Sequence, residues 1–371
     1  MKVLYKMAKF AVITGLITVV LGITVTPFHM KVGAIDPENP IPIMAYYYIW
    51  FDESSWDRAK IDYPLLGRYS SDDPEIIEQH IQSAKSAGID GFIVSWKSTF
   101  QLDSRLEMVM DIATANDFKL WIIYQGLDFD RNPLPIDRIE NDLEHFLIEY
   151  ATHPAFQMYD RPVVIWSGTW EFSREEIESI TMNFRDAMYI LATERNTEGY
   201  LRLADLVDGN AYYWASVNPT TFSSYQEKLD SMGKIVHDGG GLWIAPAAPG
   251  FDARLIGGTS IVDRNNGEIL RIELNAALKS NADVIGLISW NEFSENTHIE
   301  PSEKYGNRAL DILAGRELSP VPTVLDFDSN APGTTRRESP YTLFVLAGLG
   351  VVTLVSIAVL IQRDLVSHRK T

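Results

Sequence analysis

Short apolar runs alternate along residues 41–318 with longer segments whose apolar residues recur at helical spacing. The apolar runs are rich in β-branched and aromatic residues, which is typical of buried strands. The predicted strands are 43–50, 90–96, 119–124, 162–166, 187–192, 208–214, 242–246 and 284–290. The predicted helices are 73–88, 103–116, 136–151, 173–180, 197–207, 220–236, 267–281 and 306–315.

Eight strand–helix pairs in one stretch of chain predict an α/β fold, the parallel (β/α)8 or TIM barrel. A doubly wound open sheet is the alternative. In a barrel, chemistry lies where the strands end and the following loops begin. These predicted strand ends are rich in aromatic and polar residues, which favours a cleft for an extended, ring-shaped, neutral ligand. They are Tyr46 to Trp50, Ser95 to Lys97, Tyr124-Gln125, Trp166-Ser167, Tyr212 to Trp214, Ala245-Pro246 and Trp290 to Glu292.

The amino-terminal segment has the pattern of a secretory signal. Three lysines in residues 1–9 precede the apolar run 10–25, and Val32-Gly33-Ala34 is a small-residue site suited to signal peptidase. Residues 1–34 are therefore predicted to be a signal peptide or, because the apolar run is long, an uncleaved anchor.

The carboxyl-terminal segment predicts a membrane anchor. Residues 341–361 carry no charge over 21 positions, enough to cross a hydrocarbon core of about 30 Å, although a buried soluble helix is the alternative. Residues 319–340 read as a Pro/Ser/Thr-rich linker, and the basic tail 362–371 is predicted to be cytoplasmic. The domain at 41–318 is then extracytoplasmic, in a protein that crosses the membrane once, or twice if the first segment is not cleaved.

Composition narrows the functional classes. The chain has 32 basic and 50 acidic residues, a net charge of −18, which disfavours nucleic-acid binding. The absence of cysteine excludes disulfides, thiolate metal sites and a cysteine nucleophile. No Walker loop or dinucleotide fingerprint occurs, and we predict no cofactor and no metal. The abundance of aromatic residues suits a sugar-binding cleft as well as a core.

Two carboxylates stand directly after the eighth predicted strand, in "ISWNEFSENTHIEPS" at 288–302. Glu292 and Glu295 are three positions apart, so a helical turn would bring them to one face with about 5–6 Å between Cβ atoms. Such a pair matches the acid and the second carboxylate of a retaining glycosidase. The alternatives are carboxylates that cap a helix or meet an arginine, and a divalent-ion site with His298. We predict that Glu300 is structural, and that His80, His145 and His153 are packing or surface residues.

Several motifs resemble glycoside hydrolase family 99, the endo-α-mannosidase and endo-α-mannanase family. "SWNEFSENTHIEPS" is similar to its Trp/Phe-Asn-Glu-Trp-x-Glu-Gly-Thr-x-Ile-Glu-Pro signature. Similar in order are "AYYYIWF" at 45–51, residues 67–96, "DGNAYYW" at 208–214 and residues 245–267. The resemblance covers roughly residues 43–316.

The resemblance implies a (β/α)8 barrel that cleaves α-mannosides with retention of anomeric configuration. By position, Glu292 is the base that deprotonates the substrate 2-hydroxyl, which attacks C1 to give a 1,2-anhydro sugar, and Glu295 is the general acid and then base. The predicted substrate-binding residues are Tyr47, Trp50, Trp96, Tyr213, Arg264, Trp290 and Asn291.

This chain departs from the signature at three places: Phe293-Ser294 replace Trp-x, Asn296 replaces Gly, and Gln125-Gly126 stand where Glu before Pro-Tyr is usual. The predicted partner is an oligo- or polysaccharide. A non-catalytic carbohydrate-binding barrel and a glycosyltransfer protein of surface-glycan assembly are the alternative functions.

Overall fold

The computed structural model describes residues 41–58 and 60–315, and eight of their strands form one closed parallel barrel. Strands β1 to β8 are Ile43–Tyr48, Gly91–Trp96, Lys119–Gln125, Val163–Ser167, Tyr189–Ala192, Gly209–Ala211, Leu242–Ala247 and Val284–Leu287. Their order around the barrel is β1-β8-β7-β6-β5-β4-β3-β2, and Ile43 of β1 pairs with Ile285 of β8 to close it. The predicted TIM barrel is confirmed, and closure of the sheet excludes the doubly wound alternative.

The helices follow the strands as the periodicity predicts. Helices α1 to α8 are Pro74–Ser86, Phe100–Ala115, Ile136–Glu149, Arg174–Phe184, Thr197–Leu201, Tyr225–Asp238, Glu268–Lys279 and Arg308–Leu313. Helix α1 begins where the Asp73 side chain accepts a hydrogen bond from Glu75 N, with Pro74 in the first turn. It ends before Gly88, whose φ of 83° requires a residue without Cβ strain.

Three elements are shorter than their sequence patterns. Strand β8 ends at Leu287 because Ser289 leaves the sheet, and its N–H donates to Thr297 O at 2.9 Å. Strand β6 keeps only Gly209–Ala211 of the predicted 208–214. Helix α5 ends at Leu201 because the following residues form turns, in which Leu203 N donates to Tyr200 O at 2.8 Å.

Alternate residues of each strand serve two apolar layers. Tyr46 and Tyr48 of β1 point into the barrel with Trp121 of β3, whereas Tyr47 points outward and packs on Phe92 beneath the helices. Both faces of the strands are therefore buried, which explains why the strands read as continuous apolar runs.

The predicted segments 1–34, 319–340, 341–361 and 362–371 lie outside the described residues. Within residues 41–58 and 60–315, no helix is both long enough and apolar enough to span a membrane. A small antiparallel ribbon, Phe251–Asp252 with Ile261–Val262, follows β7.

Candidate active site

The acidic loop, residues 288–300, leaves the carboxyl end of β8 and is closed at its base by two hydroxyl groups. The Ser289 and Thr297 hydroxyl oxygens are 3.0 Å apart, and Glu292 N donates to Ser289 Oγ at 2.8 Å. The loop thus rises from the face of the barrel where active sites of this fold lie. It carries both carboxylates of the predicted pair.

Glu292 is nearly enclosed, with 8% of its surface exposed, and its Oε1 accepts a hydrogen bond from Ser294 N at 2.9 Å. Burial raises the pKa of this carboxyl, while the bond from Ser294 and the positive charge of Lys60 oppose that rise. The local hydrogen bond and the cation favour the ionised form of Glu292.

Glu295 is partly exposed. Burial of the carboxyl, followed by the nearby Glu292 charge, raises the pKa of Glu295 to about 7, and Arg131 opposes the shift. Below that pH the Glu295 carboxyl is therefore mainly protonated. Two neighbouring carboxyls with separated pKa values can act as acid and base in one reaction.

Two cations near this pair come from distant loops. Lys60 belongs to the β1–α1 loop and opposes the rise in the pKa of Glu292, and Arg131 belongs to the β3–α3 loop and opposes the rise in that of Glu295. Sequence reasoning missed both residues, because neither lies in a motif and only the folded loops bring them to the acidic loop.

A pair of tyrosines faces the carboxylates from the barrel interior. The Tyr48 and Tyr213 hydroxyl oxygens lie 2.8 Å apart, and the Tyr46 ring meets Tyr213 edge-on at 5.0 Å. Burial raises the pKa of Tyr48 and of Tyr213, and the charges of Glu295 and Glu292 add to the rise. Both phenols therefore stay neutral and keep an O–H to donate. The structure places the predicted Tyr213 beside the carboxylates, and it adds Tyr46 and Tyr48, which sequence reasoning missed.

Trp50 borders the same region. Its ring lies over Tyr48 with centroids 4.4 Å apart, and 42% of its surface remains exposed. An indole fixed in this way presents a flat apolar face at the barrel mouth. The predicted Trp50 is therefore available to a ligand.

Three of the predicted substrate-binding aromatics lie elsewhere. Tyr47, Trp96 and Trp290 are at most 1% exposed and pack between the barrel and its helices. The Tyr47 hydroxyl is 3.0 Å from His80 Nδ1, and Trp96 Nε1 donates to Asp103 Oδ1 at 2.9 Å. Tyr47 and Trp96 point outward because their strand neighbours point inward, and Trp290 packs in the same outer layer after β8 has ended. The prediction that these three rings contact substrate is corrected here.

Asn291 is also fully buried and fastens the acidic loop to β1. Its Oδ1 accepts from Tyr48 N and its Nδ2 donates to Tyr48 O, each at 2.9 Å. Beneath it, Glu300 accepts from the Tyr69 hydroxyl at 2.8 Å and lies 3.1 Å from His80 Nε2. Asn291 therefore supports the site without facing the cleft, and Glu300 is engaged in the interior, in line with the structural role that the sequence predicts.

Arg264 supports the loop from behind. Its guanidinium lies 3.9 Å above the Tyr305 ring, and its Nη2 donates to Asn296 O at 2.9 Å. The same nitrogen is 3.3 Å from His298 Nδ1, while His298 Nε2 is 2.9 Å from Asp62 Oδ2. Burial, together with Arg264, lowers the pKa of His298 to about 4. The neutral ring therefore accepts from Arg264 and donates to Asp62.

This arrangement corrects the prediction that Arg264 lines a sugar subsite, because its buried side chain is directed to the acidic loop. It also weighs against the metal alternative, since both ring nitrogens of His298 have protein partners. Among the residues that the structure describes, no group of three or more His, Asp or Glu side chains is placed to hold a metal ion.

The model of the family described as Glycosyl hydrolase family 99 matches residues 50–320. The chain belongs to this family. The resemblance seen in the motifs is thereby confirmed.

Similar curated family 99 proteins include the glycoprotein endo-alpha-1,2-mannosidase of Rattus norvegicus, 24% identical over 266 residues, which cover 64% of this chain and 56% of that protein. The glycoprotein endo-alpha-1,2-mannosidase-like protein of Danio rerio is 26% identical over 273 residues, which cover 66% of this chain and 60% of that protein. This chain thus spans little more than half the length of these relatives. The solved GH99 endo-alpha-mannosidase of Bacteroides thetaiotaomicron has a TM-score of 0.66 at 21% identity, with 74% of this chain and 96% of that chain covered, and so shares the fold.

The departures from the family 99 signature have local explanations. Asn296 adopts a left-handed φ of 53°, the conformation that glycine enters freely and asparagine tolerates. Phe293 stacks on His298 with centroids 4.0 Å apart and meets Trp56 edge-on at 5.5 Å, so its ring fixes the turn between the two glutamates. At the end of β3, Gln125 Nε2 donates to Ser95 Oγ at 2.9 Å, which puts a neutral amide where the family usually has a carboxylate.

Proposed function

We propose that the protein is a retaining glycoside hydrolase that cleaves internal α-mannosidic bonds of a glycan. The observation that carries the proposal is the Glu292/Glu295 pair on the loop after β8. Burial and the Glu292 charge raise the pKa of Glu295 to about 7, whereas Ser294 and Lys60 oppose the rise that burial causes in the pKa of Glu292. Family membership and the names of the relatives support the substrate class.

In the proposed first step, Glu292 removes the proton of the substrate 2-hydroxyl, and that oxygen attacks C1 from the face opposite the leaving group. Glu295 protonates the departing glycosidic oxygen, and a 1,2-anhydro sugar forms. In the second step, Glu295 takes a proton from water, the water oxygen attacks C1, and Glu292 returns its proton to O2. Two inversions at C1 give net retention.

The tyrosine pair and Trp50 also support the proposal. Tyr48 and Tyr213 stay neutral, so their hydroxyls can donate to sugar oxygens or to a carboxylate without adding negative charge. Trp50 offers its exposed face to the apolar C–H face of a sugar.

The test is hydrolysis of α-mannan and α-glucan oligosaccharides by the full chain and by Glu292→Gln and Glu295→Gln. We expect turnover of an α-mannoside, a first-formed product of α configuration in NMR spectra, and strong loss of turnover in both variants. A substrate whose leaving group needs no protonation separates the roles, because it restores the first step in Glu295→Gln only. Absence of turnover on every glycan, or unchanged turnover in Glu295→Gln, would contradict the proposal, and binding without turnover would favour the carbohydrate-binding alternative.

We further propose that the catalytic domain is extracytoplasmic and anchored by residues 341–361. The support is the charge-free run of 21 residues followed by a basic tail. Protease treatment of intact cells tests it with one epitope tag inserted before residue 41 and another after residue 371. We expect loss of the first tag and protection of the second, and the reverse pattern or protection of both contradicts the proposed orientation.

A further inference from the structure

The loop that joins β3 to α3, residues 126–134, is held in shape by its own hydrogen bonds. Leu134 N donates to Gly126 O and Asp128 N donates to Asn132 O, each at 2.9 Å. Asp128 Oδ1 in turn accepts from Asp130 N at 2.9 Å and Asn132 N at 2.8 Å. The 126–134 loop is therefore a defined turn rather than an open connection.

The loop also packs tightly on the barrel rim. A Cβ at Gly126 would lie 2.5 Å from Trp166 Nε1, and a Cβ at Gly168 would lie 2.5 Å from Leu127 Cγ. The glycines thus allow the loop to sit directly on β4 and on the turn that follows it. This contact fixes the direction in which the tip of the loop points.

The tip carries an aromatic ring in water. Phe129 is 97% exposed, and its ring centroid is 5.1 Å from the Lys97 ammonium, which follows the end of β2. The cation attracts the π face of the ring and helps to hold it in place. Among the described residues, no side chain covers the remaining ring surface, which faces solvent.

The tip lies on the same face of the barrel as the proposed catalytic carboxylates. Arg131, two residues after Phe129, belongs to the same loop, and its charge opposes the rise in the pKa of Glu295. Lys97 and the 126–134 loop both follow carboxyl ends of barrel strands, the same face from which the acidic loop rises. Phe129 therefore lies at the mouth of the barrel, on the face that carries the proposed acid.

We propose that Phe129 is the stacking platform of an outer subsite that binds a neutral hexopyranose ring of the glycan, beyond the sugar whose bond is cleaved. The inference rests on the proposed function and deepens it. The phenyl face meets the C–H face of the sugar, and the Lys97 ammonium donates to its hydroxyls. The subsite gives the protein a preference for longer glycans, and it lies on the loop that begins at Gln125-Gly126, where the chain departs from the family signature.

The experiment compares Phe129→Ala, Phe129→Trp and the control Ile148→Ala in the full chain. Ile148 is 67% exposed on α3, so the control removes an exposed apolar side chain outside the loops of the cleft. The readout is the ratio of kcat/KM for an α-mannotetraose to that for an aryl α-mannobioside. We expect this ratio to fall about tenfold in Phe129→Ala, to recover in Phe129→Trp and to stay unchanged in Ile148→Ala. An unchanged ratio in Phe129→Ala overturns the proposal.

Calorimetric binding of the same tetrasaccharide to Glu295→Gln, with and without Phe129→Ala, separates this proposal from the proposed function. Weaker binding in the double variant supports the subsite even if the wild-type protein shows no hydrolysis, in which case only the catalytic proposal fails. Equal binding in the two proteins, or no binding in either, overturns the subsite.

Discussion

The hydroxyl oxygens of Tyr48 and Tyr213 lie 2.8 Å apart inside the barrel, and the charges of Glu292 and Glu295 contribute to the raised pKa of both phenols. One hydroxyl donates to the other, so one proton of the pair remains free to reach the substrate or a carboxylate. The two residues come from β1 and from the end of β6, on opposite sides of the acidic loop.

Tyr213→Phe breaks this pair and is expected to lower kcat/KM by about 10- to 100-fold, the effect of losing a hydrogen bond close to charge. Steady-state kinetics on the best α-mannoside measures it. Tyr200→Phe on α5 is the matched control, because the buried Tyr200 hydroxyl lies in the outer apolar layer, away from the site, and has no hydrogen-bond partner among the described residues. Equal losses in the two variants would remove the special role of the pair.

The plot of kcat/KM against pH is expected to be bell-shaped, with one acid limb and one alkaline limb. It falls above about pH 7 as Glu295 loses its proton, and it falls in acid as Glu292 gains one. Lys60→Met removes the cation that favours ionised Glu292, so the acid limb of kcat/KM should move to higher pH. The control Lys234→Met lies on the outer face of α6, where Lys234 pairs with Asp238, and should leave both limbs in place. An acid limb that does not move in Lys60→Met would contradict the electrostatic link.

Glu295→Gln is expected to stabilise the fold above neutral pH. The pKa of Glu295 rises from 4.5 to about 7 on folding, so its contribution to stability is complete below pH 4.5 and is lost as pH rises past 7. Glutamine cannot ionise and avoids this loss. Urea unfolding should show Glu295→Gln more stable than wild type by about 1–2 kcal/mol at pH 8, with a smaller difference at pH 5.

The exposed Glu303→Gln serves as the control for charge removal near the same loop. A difference between Glu295→Gln and wild type that does not change from pH 5 to pH 8 would show that Glu295 is not desolvated in the fold.

His298→Ala should lower the free energy of unfolding by about 3–5 kcal/mol, because it leaves the buried Asp62 without its partner and removes a contact of Arg264. Chemical denaturation at pH 7 measures this loss. The partly exposed His145 lies 3.8 Å from Asp103, and His145→Ala should cost less than about 0.5 kcal/mol. Similar losses for the two histidines would contradict a supporting role for His298.

The barrel could be predicted because its strands and helices differ in period and alternate eight times. The orientation of single residues within strands could not. In Tyr46-Tyr47-Tyr48, no polar residue marks which face is inward, and both faces of a TIM-barrel strand are apolar. The motif therefore located the right strand end, while alternation along the strand placed Tyr46 and Tyr48, and not Tyr47, inside the barrel.

The carboxylate pair could be predicted because both members lie on one short loop. Lys60, Arg131 and the Asp62–His298–Arg264 contacts could not, because they join segments that are distant in sequence. Their positions depend on the paths of the β1–α1, β3–α3 and β7–α7 loops, which carry no periodic pattern.

The left-handed backbone at Asn296 also bears on how the signature can drift during evolution. A glycine codon becomes an asparagine codon by two nucleotide changes, through either aspartate or serine. At a φ of 53° aspartate is tolerated better than serine, although it adds a third negative charge beside Glu292 and Glu295. Each route thus passes through an impaired intermediate, one strained and one electrostatically unfavourable. A lineage that has reached asparagine at this position is therefore expected to keep it.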